Sequence, residues 1–382
     1  MNPSVYVREA VTFCSLGNTP EEIVKQSHHT ADTKVKTFAF GSEIKQREYR
    51  GMNIQSIAAN DEFYGVFERL LSQLIQQSNL TAEELFECAL LIGSTSMNIP
   101  CSEVFFRKNN GEKMLSGIGY GVIGDELAKL FSIGGEISFF TTACTSSANA
   151  LLYAQRGVES GRFQRAIVLG FEFYNELTIA GFETLGLLSL NGCCPFDVDR
   201  CGIILGEGCS AILVDSVASS YSTQIILRGG ASRCDIASPT SHSTDGSMVA
   251  RTIHDALQDA NLTLSDVMLI KAHGTGTDNN DWAEGSGINL AFPVIPPLIG
   301  LKPLLGHTLG GCGAIELSVL WFCMREGFFP KTYGFENLDE RAGITPMIEE
   351  TIAKPGIILL NHFGFGGSGV VLVVEMSEEM AK

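Results

Sequence analysis

A cysteine that closes an apolar run, two histidines and a lysine at later strand ends, and a phenylalanine between glycines are the groups whose types and spacing could do chemistry. Cys144 ends the run Ile137-Ser-Phe-Phe-Thr-Thr-Ala-Cys, and a helix-favouring stretch of small residues follows it to Gly157. The pattern predicts strand, tight turn and helix, with the thiol in the helix's first turn. Unpaired N–H groups and the positive end of the helix dipole gather there, which favours a nucleophilic thiolate near neutral pH. A free cysteine is more often a small buried hydrophobe, so the assignment depends on what stands downstream. His273 follows the apolar run Val267-Met-Leu-Ile-Lys-Ala and opens a Gly-Thr-Gly-Thr loop. Lys302 follows Leu298-Ile-Gly-Leu and precedes His307, which stands before a helix rich in small residues. Phe365 lies in the bend Gly364-Phe-Gly-Gly of a β-hairpin. Two of the seven histidines thus stand at strand-to-loop edges beside glycines that let a ligand approach the backbone.

The elements that must position these groups alternate between helix and strand. Phe63 to Ile75 has the period of an amphipathic helix. Ala89 to Ser94, Ile137 to Thr142, Arg165 to Glu172 and Gly208 to Asp215 read as buried strands. Further strands are expected near Gln224 to Arg228, Val267 to Ala272, Leu298 to Leu301, Ile357 to Leu360 and Val370 to Glu375, with helices near Met248 to Asn261 and Gly311 to Glu326. Cys144-Thr-Ser-Ser-Ala-Asn-Ala opens a small-residue helix after a strand, and Gly310-Gly-Cys-Gly-Ala-Ile-Glu does the same later. This internal echo divides the chain into two βα-rich halves, residues 1–217 with the cysteine and 218–382 with the histidines, joined near residues 215–222.

Composition narrows the class. The 382 residues can bury a large core, and 45% hydrophobic against 18% charged residues suits extensive internal sheet. A net charge of −17 argues against a nucleic-acid partner, which needs clustered Lys and Arg. No apolar run reaches the roughly 20 residues of a membrane span. Eleven scattered cysteines and the absence of an opening apolar signal favour a reducing cytoplasm. Cys193, Cys194, Cys201 and Cys209 lack paired C-x-x-C spacing, so no metal is expected. Gly119-Tyr-Gly-Val-Ile-Gly and Gly364-Phe-Gly-Gly-Ser-Gly fit G-x-G-x-x-G. The first follows the poor strand Lys113-Met-Leu-Ser-Gly and the second leads into a strand, so neither fits a dinucleotide site.

Taken together, Ala143-Cys-Thr-Ser-Ser, Pro195-Phe-Asp-Val-Asp-Arg-Cys-Gly, Ala272-His-Gly-Thr-Gly-Thr, Lys302 with Gly306-His-Thr, and Asn361-His-Phe-Gly-Phe-Gly-Gly resemble the β-ketoacyl-acyl-carrier-protein synthases of the thiolase superfamily. The resemblance extends over most of the chain. It implies an α/β fold of five layers, αβαβα, built from two similar halves. It also implies decarboxylative condensation of an acyl group on Cys144 with a malonyl group on a carrier protein, in fatty acid, polyketide or aryl polyene synthesis. His273 and His307 would bind the enolate, and the N–H groups of Cys144 and Phe365 would form an oxyanion hole, with Phe365 also a gate. Lys302 would orient His307 or a water, Glu316 would support the site, and Thr275 and Thr277 would bind phosphopantetheine. No cofactor beyond that carried arm is implied. Lys45, Arg47, Arg50, Arg107 and Lys108 are the candidates for docking an acidic acyl carrier protein, with a solvated helix face or loop as the alternative for any single one of them. Assembly is expected as a homodimer, or as a heterodimer with a chain-length-factor-type subunit, through the strand Ile137 to Thr142. Two other readings remain open: a non-elongating partner subunit, which typically lacks the cysteine, and a thioester hydrolase using Cys144 with His273. The hydrolase leaves His307, Lys302 and the Phe365 turn without a task.

Overall fold

The structure, a computed structural model, describes residues 3–29, 34–52, 60–111, 120–236, 238 and 242–378. Its main sheet uses ten strands. The first five are β1 (Tyr6–Phe13), β2 (Ala89–Gly93), β3 (Ile137–Phe140), β4 (Arg165–Glu172) and β5 (Gly208–Asp215). The second five are β6 (Thr223–Cys234), β7 (Val267–Lys271), β8 (Leu298–Ile299), β9 (Gly356–Phe363) and β10 (Ser368–Glu378). The first set lies in the order β3-β2-β4-β5-β1, and the second repeats it as β8-β7-β9-β10-β6. In both sets the first three strands of that order run parallel and the last two pair antiparallel. The sets meet where Tyr6 pairs with Ile226 and the Val5 carbonyl accepts the Leu227 N–H.

Continuous apolar runs explain the layering. Every residue of β2, β4 and β5 is buried, so both faces of the first set must be covered. Outside it lie α1 (Asn60–Ser78) on β1 and β5, and α2 (Tyr120–Phe131) on β2 and β3. Outside the second set lies α4 (Ser247–Asp259), packed on β6 and β10 and against α5 (Asp278–Ala291). Between the sets run α3 (Ser146–Glu159) and α6 (Cys312–Arg325), in contact with each other. Thirteen of the fourteen α6 residues are buried, as a helix apolar on all sides requires. The result is the five-layer αβαβα arrangement.

Three elements differ from the sequence reading. β3 stops at Phe140, because Thr141 and Thr142 lead into a turn held by hydroxyl groups. Lys34–Phe40 and Glu43–Arg50 form an antiparallel hairpin, so Lys45, Arg47 and Arg50 lie on a strand rather than on a helix face or loop. The lysines that share its inward face dilute the period-2 apolar signal. Asp278–Ala291 is helical although asparagines and glycines hide its apolar period.

Candidate active site

Cys144 sits in a single 3₁₀ turn, Ala143–Thr145, that runs straight into α3. Ala143 has φ 51°, a left-handed conformation that a non-glycine residue adopts only where its surroundings impose it. Hydroxyl groups do so here. Ser146 Oγ accepts the Thr142 N–H at 3.0 Å and donates to the Ala143 carbonyl at 2.6 Å. Thr145 Oγ1 donates to the Thr142 carbonyl at 2.7 Å and meets Ser368 Oγ at 2.6 Å. The thiol is buried, and the N–H groups of Phe365 and of Cys144 itself point at the sulfur. Glycine at 364 permits that approach, since a Cβ there would come 2.9 Å from the Cys144 nitrogen.

His307 Nε2 lies 3.0 Å from Cys144 Sγ, while the His273 ring stands edge-on to His307 with centroids 5.2 Å apart. The structure corrects the place of Lys302. Among the described residues it makes no hydrogen bond to His307. Its Nζ meets His273 Nδ1 at 3.2 Å, the His273 carbonyl at 2.6 Å and Glu316 Oε1 at 2.9 Å. An ammonium has only protons to offer, so His273 accepts at Nδ1 and carries its own proton on Nε2. Glu284 fixes the same turn by accepting the N–H groups of His273 and Gly274 at 2.8 Å each, and the Asn361 side chain at 3.1 Å. Among the described residues His307 Nδ1 is buried without a hydrogen-bond partner, so no hydrogen bond there fixes the ring in one tautomer.

The electrostatics overturn the expectation of a resting thiolate. Burial pushes the Cys144 thiol up to about 12, against the lowering effect of Lys302 and the two N–H groups. Burial, reinforced by the Lys302 charge, holds His273 and His307 well below the ordinary imidazole range. Glu316 is held below the usual carboxylate range, because Lys271 and Lys302 together outweigh its burial. At rest the pair is therefore a neutral thiol against a neutral imidazole.

These groups open on a cavity of about 400 Å³ lined by Cys144, His273, His307, Thr275, Thr277 and Phe365, among others. Thr275 and Thr277 share a hydroxyl contact of 2.8 Å on its wall. Phe365 stacks on Phe182 at 5.5 Å. Arg200, Asp278 and Trp282 also line it, with Arg200 paired to Asp278 at 3.0 Å. His242 lines the same cavity with its Nδ1 3.9 Å from Asp235 Oδ2, and the sequence reading missed it. Lys271, Glu284, His362 and Cys312 were missed as well. A lone lysine inside the apolar run before His273 was the one available signal.

Arg50 is buried and donates to the Pro303 carbonyl at 3.2 Å, because the hairpin turns it inward. Lys45 and Arg47 pair with Glu183, and Arg107 with Glu176 at 2.8 Å. Lys108 is exposed. Cys193 Sγ donates to the Thr275 carbonyl at 3.5 Å, Cys201 Sγ lies 2.9 Å from Ser189 Oγ, and Cys209 is buried in β5. Of the glycine patterns, Gly364 to Gly367 forms the turn between β9 and β10 and Gly369 lies in β10, while residues 113–119 lie outside the described residues.

Residues 19–219 match the profile of the beta-ketoacyl synthase N-terminal domain, and residues 225–336 match that of its C-terminal domain. The chain belongs to the beta-ketoacyl synthase family. Among curated members, it is 32% identical over 247 residues to 3-oxoacyl-[acyl-carrier-protein] synthase 2 of Mycobacterium tuberculosis, covering 60% of this chain and 59% of that one. It is 27% identical over 263 residues to the tetracenomycin polyketide synthase ketoacyl synthase alpha subunit of Streptomyces glaucescens, covering 64% and 61%. The matched region thus spans about three-fifths of the length of these relatives. The fold is that of solved ketosynthases. A structure of ketosynthase (ApeO) in complex with its chain length factor (ApeC) from Xenorhabdus doucetiae superposes with TM-score 0.83 at 24% identity, over 98% of both chains. A beta-ketoacyl synthase from Burkholderia phymatum gives 0.83 at 20% identity, over 99% and 100%. No helix among the described residues is long and apolar enough to cross a membrane.

Proposed function

We propose that this chain is an active ketosynthase that condenses an acyl group held on Cys144 with a malonyl group delivered on the phosphopantetheine arm of an acyl carrier protein. The observation that carries the reading is the convergence of one thiol, two neutral imidazoles and two N–H groups on one cavity. In the first half-reaction the Cys144 sulfur attacks the incoming thioester while its proton passes to His307 Nε2. The N–H groups of Cys144 and Phe365 receive the tetrahedral oxyanion. The proton then leaves on the departing phosphopantetheine thiolate. In the second, the malonyl carboxylate departs as carbon dioxide and its electron pair moves onto the thioester oxygen. His273 Nε2–H donates to that enolate oxygen, joined by His307 once its tautomer places a proton on Nε2. The enolate carbon attacks the acyl carbon on Cys144, and collapse releases the thiolate. Thr275 and Thr277 would meet the amides of the arm, and Phe365, stacked on Phe182, would gate the acyl side. No step needs a metal or redox cofactor.

Assembly fits the same reading. β3 is an edge strand of the main sheet. The carbonyls of Glu136 and Phe140 accept the N–H groups of Leu90 and Ser94, so Ile137 and Phe139 turn their backbone polar groups outward. An edge beside the nucleophile is a template for a second strand, and we assign it to a like chain or a chain-length-factor-type paralogue. The reaction is tested with Cys144→Ala. Intact-mass measurement should find acyl adducts on the native protein and none on the variant. A normal adduct on the variant would refute the assignment.

A further inference from the structure

An ion cluster lies directly behind the reaction centre and takes no part in the steps above. Lys271 is the last residue of β7 and is fully buried. Its Nζ donates to Glu316 Oε2 at 2.5 Å and to the Asn361 carbonyl at 2.8 Å, and stands 3.5 Å from His362 Nε2. Glu316 thus gives one carboxylate oxygen to each of two lysines. Because an ammonium only donates, His362 accepts at Nε2 and carries its proton on Nδ1. That nitrogen faces the Cys312 sulfur at 3.6 Å, and Cys312 donates to the Cys144 carbonyl at 3.0 Å. Donors therefore run in one direction, from Lys271 to the carbonyl of the nucleophile.

A charge at the end of a buried strand is costly unless it is matched, and here burial lowers the Lys271 pKa while Glu316 opposes that shift. We propose that Lys271 is a positioning residue for the condensing centre, whose ammonium balances the carboxylates behind His273 and His307 and so keeps both rings neutral for proton acceptance and enolate binding. This rests on the condensing reading above. The charged and titratable groups facing the two histidines are Lys271 on β7, Lys302 after β8, Glu316 and Cys312 on α6, Glu284 on α5, His362 on β9 and Cys144 on its turn, with Glu172 of β4 acting on the sulfur. Two lysines offset Glu316 and Glu284. Without Lys271 the carboxylates outnumber the remaining lysine, and the three imidazoles are the nearest groups able to take up a proton. Lys271 is among the charges that hold His273 and His307 down, after burial and Lys302, so its loss raises them. A protonated His307 cannot accept the thiol proton, and activity is then lost from the acid side at a higher pH.

The test compares Lys271→Met, Lys271→Gln and Lys271→Arg with the native protein in two measurements. One is the pH profile of malonyl-carrier decarboxylation and condensation. The other is the titration of ¹³C-labelled histidines followed by NMR. In the Met and Gln variants the acid limb and at least one buried-histidine titration should move up by about one pH unit, a roughly tenfold loss at the old limb. KM for the carrier should hold, and arginine should keep the native profile. A folded Met or Gln variant with unchanged limb and unchanged histidine titrations overturns the proposal, however far kcat falls. Should both unfold, Glu284→Gln shifts the same balance the other way and must lower the titrations; unchanged titrations again overturn it. The NMR reads protonation without turnover, so a native protein that fails to condense refutes the reaction and leaves this measurement standing.

Discussion

Removing the two histidines one at a time should give unequal results. His307 touches the sulfur at 3.0 Å, whereas His273 is tied to Lys302 on the far side. A thiol at about 12 must lose its proton to attack. At pH 7.5 that is about 4.5 pH units uphill, or about 6 kcal/mol. The neighbouring imidazole offsets part of this by taking the proton as attack proceeds, and a general base of this kind contributes about 10²- to 10⁴-fold. His307→Ala should therefore slow acyl loading of Cys144 by about 10²-fold or more, and slow decarboxylation as well. His273→Ala should load acyl groups within about threefold of the native rate, yet lose about 10²- to 10³-fold in malonyl decarboxylation, the cost of one oxyanion donor. Loading is read as the time course of the acyl adduct by intact mass, and decarboxylation as carbon dioxide release from malonyl carrier. Loading by His307→Ala at the native rate would refute the thiol-to-imidazole transfer. Equal defects of the two variants in loading would refute the division of labour between the rings.

Two further outcomes follow from the same geometry. Burial holds the thiols of Cys14, Cys88, Cys144 and Cys323 at about 12, above their unfolded value, so the stability they contribute is full below about pH 8.5 to 9 and is lost as pH rises toward 12. At pH 10 each unfolded thiol gains about 1.4 kcal/mol or more from ionising, about 6 kcal/mol for the four, so the reduced protein's denaturant midpoint should fall steeply between pH 8.5 and 10; a flat midpoint would contradict their burial. Phe139→Pro removes an outward N–H from the β3 edge. It should convert the proposed dimer to a 41.2 kDa monomer in light scattering, and a dimer of native mass would refute assembly through this edge.

Much of the fold was legible because buried parallel strands and small-residue helices leave strong local signals. The run before Cys144 and the glycine-flanked ends at His273 and His307 are examples. What escaped depends on where distant segments cross. Lys302 stands five residues from His307 in the chain, yet it serves His273, because its turn folds back over the end of β7. Arg50 reads as a surface charge but is buried, a fact set by pairing that no local pattern records. Lys271, Glu284 and His362 sit within apolar or glycine-rich runs, where a polar residue carries no sign of the partner that satisfies it. The thiolate expectation failed for a related reason. The helix terminus is readable from sequence, but the depth that outweighs it is not.

The repeated topology explains why only one of the two halves carries a cysteine at this turn. After β8, as after β3, a 3₁₀ turn leads into a central helix, and its first residue is again left-handed, with Leu309 at φ 38° matching Ala143 at φ 51°. Gly310 then occupies the position that Cys144 holds in the first half. The two turns touch each other in the middle layer. A Cβ on Gly310 would come 2.4 Å from the Thr95 nitrogen, and Glu172 grips both sides of that contact through the N–H groups of Thr95, Ser96 and Gly310. The backbone of Ser94 and Thr95 thus leaves no room for a side chain at Gly310. The second half supplies instead what lies just before its turn and at the end of β7, His307 and His273. A thiol from one copy of the motif and imidazoles from the other thereby meet across the internal two-fold, which is why neither half by itself contains a complete site.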